Sequence, residues 1–256
     1  MSKQNKKSYL SVVIPCYNEE KNLKRGVLGE VEDFLARQSY ASEVLISDDG
    51  STDESLKLAQ SFIKTHQRFR VLENPHAGKP FAVKSGVLFT RGEIILFTDM
   101  DQSTPVSELD KLLPPFQQGF QVVVGSRGKE RKDFPWYRQL LSWGFRLVRR
   151  AALLSDIVDT QCGFKAFTSE AGKKIFARMQ IFQEATQTKG WKVGAWDVEL
   201  LFVANKLGFK IKEVPVLWQD RDIAEGKKKD FLKESREMLT EIARVKLNDW
   251  RGKYDK

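Results

Sequence analysis

The stretch GEIILFTDMD, residues 92–101, is an apolar segment that ends at two carboxylates. Its four consecutive apolar residues, 94–97, are typical of a strand buried on both faces of a parallel sheet, and ligands bind at the carboxyl ends of such strands. Asp99 and Asp101 are separated by one residue, so on an extended chain they point the same way and can share a divalent cation with a diphosphate. An alternative is that they lead into a helix cap, because residues 103–105 carry a capping signature.

The segments around this stretch alternate between strand and helix patterns. The sequence predicts strands at residues 10–14, 44–47, 69–72, 93–97 and 121–124. It predicts helices ending near residue 37, following residue 53, at 79–89 and near 106–116. Parallel strands need crossover connections, which helices usually provide. The predicted fold class is therefore α/β, with a mostly parallel central sheet flanked by helices.

Acidic residues follow three of these strands. They are Glu19 after the first strand, Asp48 and Asp49 after the second, and Asp99 and Asp101 after the fourth. Parallel strands bring these ends to one sheet edge, and several acids there in a basic protein suggest a nucleotide and metal site. The first strand is not followed by the glycine fingerprint of dinucleotide-binding proteins, and the Gly-Lys-Pro string at 78–80 lacks the other residues of a P-loop.

The composition limits the class of protein. The 256 residues carry a net charge of +9, only two cysteines and two histidines, and no apolar run long enough to span a bilayer. The cysteine content fits a reducing compartment, and the histidine content makes a His-based zinc site improbable. Residues 127–150 contain eight Lys or Arg and two acids among aromatic and aliphatic residues. This mixture favours a membrane-surface element over nucleic-acid binding, with a core helix bearing a solvated basic face as the alternative.

Three motifs in this order resemble those of family 2 glycosyltransferases, which have the GT-A fold. They are VVIPCYNE at 12–19, DDGSTD at 48–53 and DMD at 99–101, and the resemblance covers roughly residues 8–221. The strings DTQCGFK at 159–165 and DVELL at 197–201 are similar to those of dolichyl-phosphate β-glucosyltransferases. The pair Asp220-Arg221 instead resembles the mannosyltransferase branch, so the resemblance leaves the donor open.

The resemblance implies a role for each matching residue. The nucleotide-sugar donor would be bound by Pro15, Tyr17, Glu19, Asp48, Asp49, Lys79 and Asp99. Asp99 and Asp101 would hold Mg²⁺ or Mn²⁺ on the diphosphate. The catalytic candidates are Asp101, Arg127, Arg138, Arg221 and Asp197. The three arginines among them would bind the acceptor phosphate, because guanidinium groups match phosphate oxygens.

The function implied is inverting transfer of a hexose to a polyprenyl or dolichyl phosphate, with UDP-glucose as the expected donor. The alternatives are a GDP-mannose-dependent mannosyltransferase and a non-catalytic scaffold that binds nucleotide sugars. We expect residues 1–221 to form the catalytic domain, including a membrane-interface helical segment at 133–155, and residues 222–256 to form an amphipathic helical tail. The protein is expected at the cytoplasmic face of a membrane, bound peripherally or through a membrane-embedded partner, and without nucleic acid.

Overall fold

The computed structural model describes residues 9–127, 157–183, 196–223 and 231–255. The predicted interface segment 133–155, with Arg138, lies outside these ranges. Within them, a seven-stranded sheet forms the centre of the molecule, in the order β3-β2-β1-β4-β6-β5-β7. The strands are β1 Leu10–Cys16, β2 Ser42–Asp48, β3 Phe69–Glu73, β4 Ile94–Thr98, β5 Val122–Ser126, β6 Phe164–Thr168 and β7 Ile211–Pro215.

Most strand pairs are parallel, as predicted. β1 pairs in parallel with β2 and β4, β2 with β3, and β5 with β7, whereas β6 runs antiparallel between β4 and β5. The helices are α1 Glu20–Lys24, α2 Val27–Ala36, α3 Ser55–Ile63, α4 Lys79–Phe89, α5 Leu109–Leu112, α6 Pro114–Gln117, α7 Ser169–Arg178, α8 Trp196–Lys206 and α9 Phe231–Trp250. Short 3-10 turns lie at Val106–Glu108 and Gln180–Phe182.

The core lies on both faces of the sheet. In β4, Ile94 and Leu96 belong to one apolar cluster while Ile95 and Phe97 belong to the other, and all four are buried. Alternate side chains of a strand point to opposite faces. The prediction that this strand is buried on both faces is therefore confirmed.

Two helix predictions were wrong in the same way. The helix expected to end near residue 37 is divided into α1 and α2 by Gly26, whose φ of 90° is left-handed. The helix expected near 106–116 is a 3-10 turn followed by α5 and α6, with Pro114 and Pro115 at the second break. Glycine readily adopts a left-handed conformation, and proline inside a helix removes a hydrogen bond and clashes with the preceding turn.

The C-terminal helix α9 runs from Phe231 to Trp250, within the helical tail predicted at 222–256. Its residues Ile242 and Val245 are buried in the same cluster as α8, and Tyr254 follows them into that cluster. The helix therefore packs on the core. The division of the chain at residue 221 stays a prediction.

Candidate active site

The predicted acids meet at one edge of the sheet. Cys16, the last residue of β1, lies opposite Asp48, the last residue of β2, and β4 ends at Thr98 just before Asp99. Because β6 is antiparallel to β4, it starts at this same edge, with Phe164 opposite Thr98. The loops that follow β1, β2 and β4 and the loop that precedes β6 therefore surround one site.

Asp99 is held between a cation and a glycine. Lys79, the first residue of α4, places its Nζ 2.6 Å from Oδ1 of Asp99. On the other side, a Cβ added to Gly163 would lie 2.0 Å from Oδ2 of Asp99, so only glycine fits there without a shift. Asp99 keeps a third of its side-chain surface exposed. Its carboxylate is thus positioned and still open to a ligand.

The carboxylate of Asp101 lies in surroundings that disfavour its negative charge. Burial raises the pKa of its carboxyl group, and the negative charges of Asp99 and Asp222 raise it further. Its Oδ1 accepts a hydrogen bond of 2.8 Å from the backbone N–H of Ser103. The 3-10 turn that follows begins after Pro105 and has no side-chain cap, so the helix-cap alternative is wrong. Two neighbouring carboxylates that repel each other are stabilised when a cation binds between them.

The acids Asp48 and Asp49, at the end of β2, organise two loops. Oδ2 of Asp48 accepts hydrogen bonds from the backbone N–H groups of Gly50 and Ser51, and Oδ1 accepts one from the Ser51 hydroxyl. Asp49 reaches the loop before α4, where it accepts from the backbone N–H groups of Ala77 and Gly78. Both side chains are buried. They shape the wall of the site through these backbone contacts.

An aromatic pair lies beside Asp49. The ring of His76 stacks on Tyr17 with centroids 4.3 Å apart and planes at 16°, and Nδ1 of His76 lies 2.8 Å from Oδ2 of Asp49. Pro15, the candidate that precedes this loop, is buried near the end of β1 and lies opposite Ser47 of β2. The loop after β1 therefore presents an aromatic surface next to a buried acid.

Helix α1 connects this loop with the segment that follows β7. The side-chain amide of Asn22, which is completely buried, donates to Glu19 at 2.6 Å and to Asp222 at 3.1 Å. Arg25, at the end of α1, donates to the backbone carbonyl of Asp101 at 2.6 Å and to that of Arg221. Sequence reasoning missed Arg25, although the glycine that follows it marks the end of a helix.

Arg127 and Arg221, the candidate arginines within the described ranges, are paired with acids. Nε and one Nη of Arg127 donate to Asp159 at 2.7 and 2.8 Å, and the backbone N–H of Arg127 donates to the same carboxylate at 3.0 Å. Burial raises the pKa of Asp159, but the hydrogen bonds and charge of Arg127 outweigh burial and lower it to about 2. Arg221 donates with both Nη groups to Glu30 at 2.9 and 2.7 Å and is partly exposed.

Asp197 forms a buried ion pair next to the site. Nζ of Lys165 lies 2.6 Å from Oδ1 of Asp197, and Lys165 has no exposed surface. Burial raises the pKa of Asp197, while the positive charges of Lys165 and, more weakly, Lys79 oppose the rise. Glu199 is two residues further along α8 and therefore on its other side. Its carboxylate accepts hydrogen bonds from Gln180, Ile181, Arg244 and Tyr254, which tie α8 to the turn at 180–182 and to the C-terminal helix α9 and the residues after it. Asp197 thus faces the site and Glu199 supports the fold.

Comparisons with known proteins agree with this arrangement. The model of the family described as glycosyl transferase family 2 matches residues 11–176. A dolichyl-phosphate beta-glucosyltransferase of Dictyostelium discoideum is 33% identical over 257 residues, which cover 93% of this chain and 74% of that protein. The human protein of the same name is 32% identical, covering 82% of this chain and 67% of its own length.

Solved structures share the fold. Mannosyl-3-phosphoglycerate synthase from Rubrobacter xylanophilus superposes with a TM-score of 0.61 at 17% identity, covering 95% of this chain and 75% of that chain. Glucosyl-3-phosphoglycerate synthase from Mycobacterium tuberculosis, solved with Mn²⁺ and UDP-glucose, gives 0.59 at 19% identity, covering 93% and 79%. In the ranges that the structure describes, no helix has the length and apolar character needed to cross a membrane. The chain has the GT-A fold and belongs to glycosyl transferase family 2.

Proposed function

We propose that this glycosyltransferase moves glucose from UDP-glucose to the phosphate of a polyprenyl or dolichyl phosphate, with inversion at the anomeric carbon. The observation that carries the proposal is the pair Asp99 and Asp101 at the carboxyl edge of the sheet, with Lys79 beside it. The relatives in Dictyostelium discoideum, Drosophila melanogaster and Homo sapiens, all named for this transfer to dolichyl phosphate, support the choice of acceptor and sugar.

The donor is proposed to bind in the loops that follow β1 and β2. Tyr17 offers a ring face for the base. Pro15 lies where β1 leads into this loop, and Glu19 is held by hydrogen bonds with Ser55 and Asn22. Asp48 and Asp49 accept hydrogen bonds from backbone N–H groups of the neighbouring loops and so shape the pocket. We propose that they also accept a hydrogen bond from the base. Lys79 is placed to offset the charge of the diphosphate.

A divalent cation, Mg²⁺ or Mn²⁺, fits the acids at this edge. Asp101 has a raised pKa next to Asp99, and carboxylate oxygens are the ligands that these hard cations prefer. In the described parts of the chain, no three His, Cys, Asp or Glu residues form a metal-binding group. The two aspartates would therefore share the ion with oxygens of the donor. When bound, the cation would stabilise the negative charge of the departing nucleoside diphosphate.

The acceptor phosphate is already an anion near neutral pH, so it needs no protein base. One of its oxygens attacks the anomeric carbon from the face opposite the diphosphate. The carbon–oxygen bond to the diphosphate breaks, and its electron pair leaves with the nucleotide. We propose that Arg127, Arg138 and Arg221 bind the acceptor phosphate, with Asp197 and its partner Lys165 setting the charge beside it. Arg221 would exchange its exposed partner Glu30 for phosphate oxygens.

The test is transfer of radiolabelled sugar to a short polyprenyl phosphate. UDP-glucose and GDP-mannose are compared in parallel, with Mg²⁺ or Mn²⁺ and then with a chelator. We expect transfer from UDP-glucose that the chelator abolishes. Transfer from GDP-mannose alone would replace the donor, and transfer that survives the chelator would remove the cation from the proposal. Nucleotide binding without transfer under any condition would favour a scaffold over an enzyme of this specificity.

The acceptor also implies a place of action. A polyprenyl phosphate is held in a bilayer by its hydrocarbon chain, so we propose that the protein acts at the cytoplasmic face of a membrane. It would bind there peripherally or through a membrane-embedded partner. The basic and apolar composition of residues 127–150 supports attachment to the membrane surface.

A further inference from the structure

The outer side of helix α9 combines large apolar side chains with cations. Leu239, Leu247 and Trp250 are 45%, 43% and 86% exposed. At 100° per residue they fall on one side of the helix, opposite the buried Val245 and away from Ile242. A tryptophan that exposes most of its surface gains nothing from the fold of its own chain. This side of α9, hereafter the outer face, is therefore suited to a partner.

The charges on the outer face have one sign. Arg236 is exposed on this side of the helix, Lys246 is exposed at its edge with Nζ 5.8 Å from the Phe202 ring of α8, and Arg251 is exposed just past the last residue of α9, next to Trp250. The acids of the same stretch point elsewhere, because Glu241 pairs with Arg244 and Asp249 pairs with Lys206 at 2.7 Å. Among the side chains described between residues 239 and 251, the outer face carries no acid. Its partner should therefore be anionic.

Charge disfavours two possible partners, a second copy of the outer face and the basic segment 127–150 of the same chain. A second copy of the same face would bring together two sets of three cations. The chain's own segment 127–150 has eight Lys or Arg and two acids, so it would also be repelled. A nucleic acid would satisfy the cations but would leave the two leucines without an apolar environment. An anionic lipid surface satisfies both, because cations meet the headgroups while leucine and tryptophan enter the boundary with the acyl chains.

We propose that the outer face of α9 docks on the surface of an anionic membrane. The inference deepens the proposed function, since it says how an enzyme with a lipid-linked acceptor would reach the bilayer. It does not depend on the sugar or the donor. Val245 and Ile242 anchor the helix in the core, so docking would hold the whole catalytic fold at the membrane surface.

The test is sedimentation of the full chain with vesicles of phosphatidylcholine, alone or mixed with phosphatidylserine. We expect binding to the mixed vesicles at low salt and its loss at high salt. The charge variant Arg236→Glu, Lys246→Glu and Arg251→Glu should lower the ratio of bound to free protein by at least about tenfold, because each cation near such a surface contributes measurably. The apolar variant Leu239→Ser, Leu247→Ser and Trp250→Ser should lower it as well.

A matched control reverses three exposed cations elsewhere, Arg37, Lys64 and Lys210. It changes the net charge by the same amount, so it should retain most of the binding. Equal loss in both charge variants would mean attraction by net charge alone and would overturn the proposal. Unchanged binding in either α9 variant would overturn it too. Thermal unfolding checks that every variant is folded. Sugar transfer to a short acceptor in detergent should be unchanged in the α9 variants, and failure of that transfer in the wild type would count against the proposed function alone.

Discussion

Two carboxylates at the same edge of the sheet have opposite surroundings. Asp159 lies against Arg127 in a two-pronged contact that lowers its pKa to about 2. Asp101 is half-buried near Asp99 and Asp222, and its pKa is raised. The first arrangement satisfies its charges within the fold, while the second leaves a repulsion that a bound cation would relieve. The contrast separates a carboxylate whose charge is compensated within the fold from one whose charge a bound cation would compensate.

The two aspartates contribute to stability with opposite dependence on pH. Asp159 has a depressed pKa, so its contribution is present above the unfolded pKa of about 3.9 and is lost as the pH falls towards about 2. Asp101 has a raised pKa, so the fold favours its protonated form. That contribution is present in acid and is lost as the pH rises through the raised pKa. At neutral pH, charged Asp101 therefore opposes folding while Asp159 supports it.

The largest effect is expected from Asp101→Asn. The amide keeps an oxygen that can accept from Ser103, but the metal-binding charge is lost. We expect sugar transfer to fall by about a hundredfold to a thousandfold. Because the repulsion with Asp99 also disappears, we expect the melting temperature at neutral pH to rise. Radiolabelled transfer and thermal unfolding measure the two results.

The matched control for this variant is Asp110→Asn, an exposed acid on α5. It should change neither activity nor the melting temperature. Full transfer by Asp101→Asn would mean that Asp101 does not bind the metal ion. A lower melting temperature at neutral pH would mean that the charge of Asp101 does not destabilise the fold.

The next largest loss of sugar transfer is expected from Gly163→Ala. The added methyl group would lie 2.0 Å from Oδ2 of Asp99, so the carboxylate must rotate away from its position beside Lys79. A displacement of about 1 Å at a reacting centre can lower the rate about a hundredfold. We expect such a loss of transfer, with the melting temperature little changed. The control is Gly29→Ala, because Gly29 lies in α2 and an added Cβ there would meet open space. Gly119→Ala would not serve, because φ at Gly119 is 83° and a side chain there would strain the backbone. Normal transfer by Gly163→Ala would mean that Asp99 tolerates several positions.

Asp159→Asn tests the contribution of the Arg127–Asp159 ion pair to stability. The change leaves the charge of Arg127 buried with a neutral partner, and the shift of the Asp159 pKa to about 2 corresponds to about 2 kcal/mol at neutral pH. We expect the free energy of unfolding in urea to fall by that amount at neutral pH. The difference from wild type should shrink as the pH falls towards about 2, because wild-type Asp159 is then protonated. A difference that stays constant with pH would assign the loss to packing instead.

The sequence predicted the half of the site that is built from parallel strands. Each of the strands β1, β2 and β4 is a short apolar run followed by acids, and parallel pairing must bring those acids to one edge. Local pattern and topology are enough for such a conclusion. The identities and order of Glu19, Asp48, Asp49, Asp99 and Asp101 are therefore enough to predict a candidate site at this edge from the sequence alone.

The other half depends on contacts between distant parts of the chain. β6 enters the sheet in the opposite direction, which places Gly163 against Asp99, although their positions in the chain are far apart. The partners Arg127 and Asp159 are also far apart in the chain, by 32 residues, and nothing local in either motif specifies the pair. The break at Gly26 had a local signal, but the apolar spacing of α1 and α2 resembled one continuous helix.

The smallest effect is expected at Arg25, a cation next to Asp101 that contacts its backbone carbonyl and not its carboxylate. Through the carbonyls of Asp101 and Arg221, Arg25 joins the proposed cation site to the proposed acceptor site. Arg25→Met should loosen both segments without removing a substrate contact. We expect the Mn²⁺ concentration for half-maximal transfer and the KM for the polyprenyl phosphate to rise several-fold, while kcat falls less.

The control for Arg25 is Arg37→Met, because Arg37 also donates to a backbone carbonyl, that of Asp33, but on an exposed helix end. It should leave both constants unchanged. A fall in kcat alone would place Arg25 in contact with the reacting groups, and a fall in stability alone would make it an ordinary packing residue. A joint shift of the metal and acceptor constants is the result that a link between the two segments requires. It would also extend the comparison of the two carboxylates. Arg127 neutralises the charge of Asp159, whereas Arg25 would hold the backbone of Asp101 and leave its carboxylate charged for the bound metal ion.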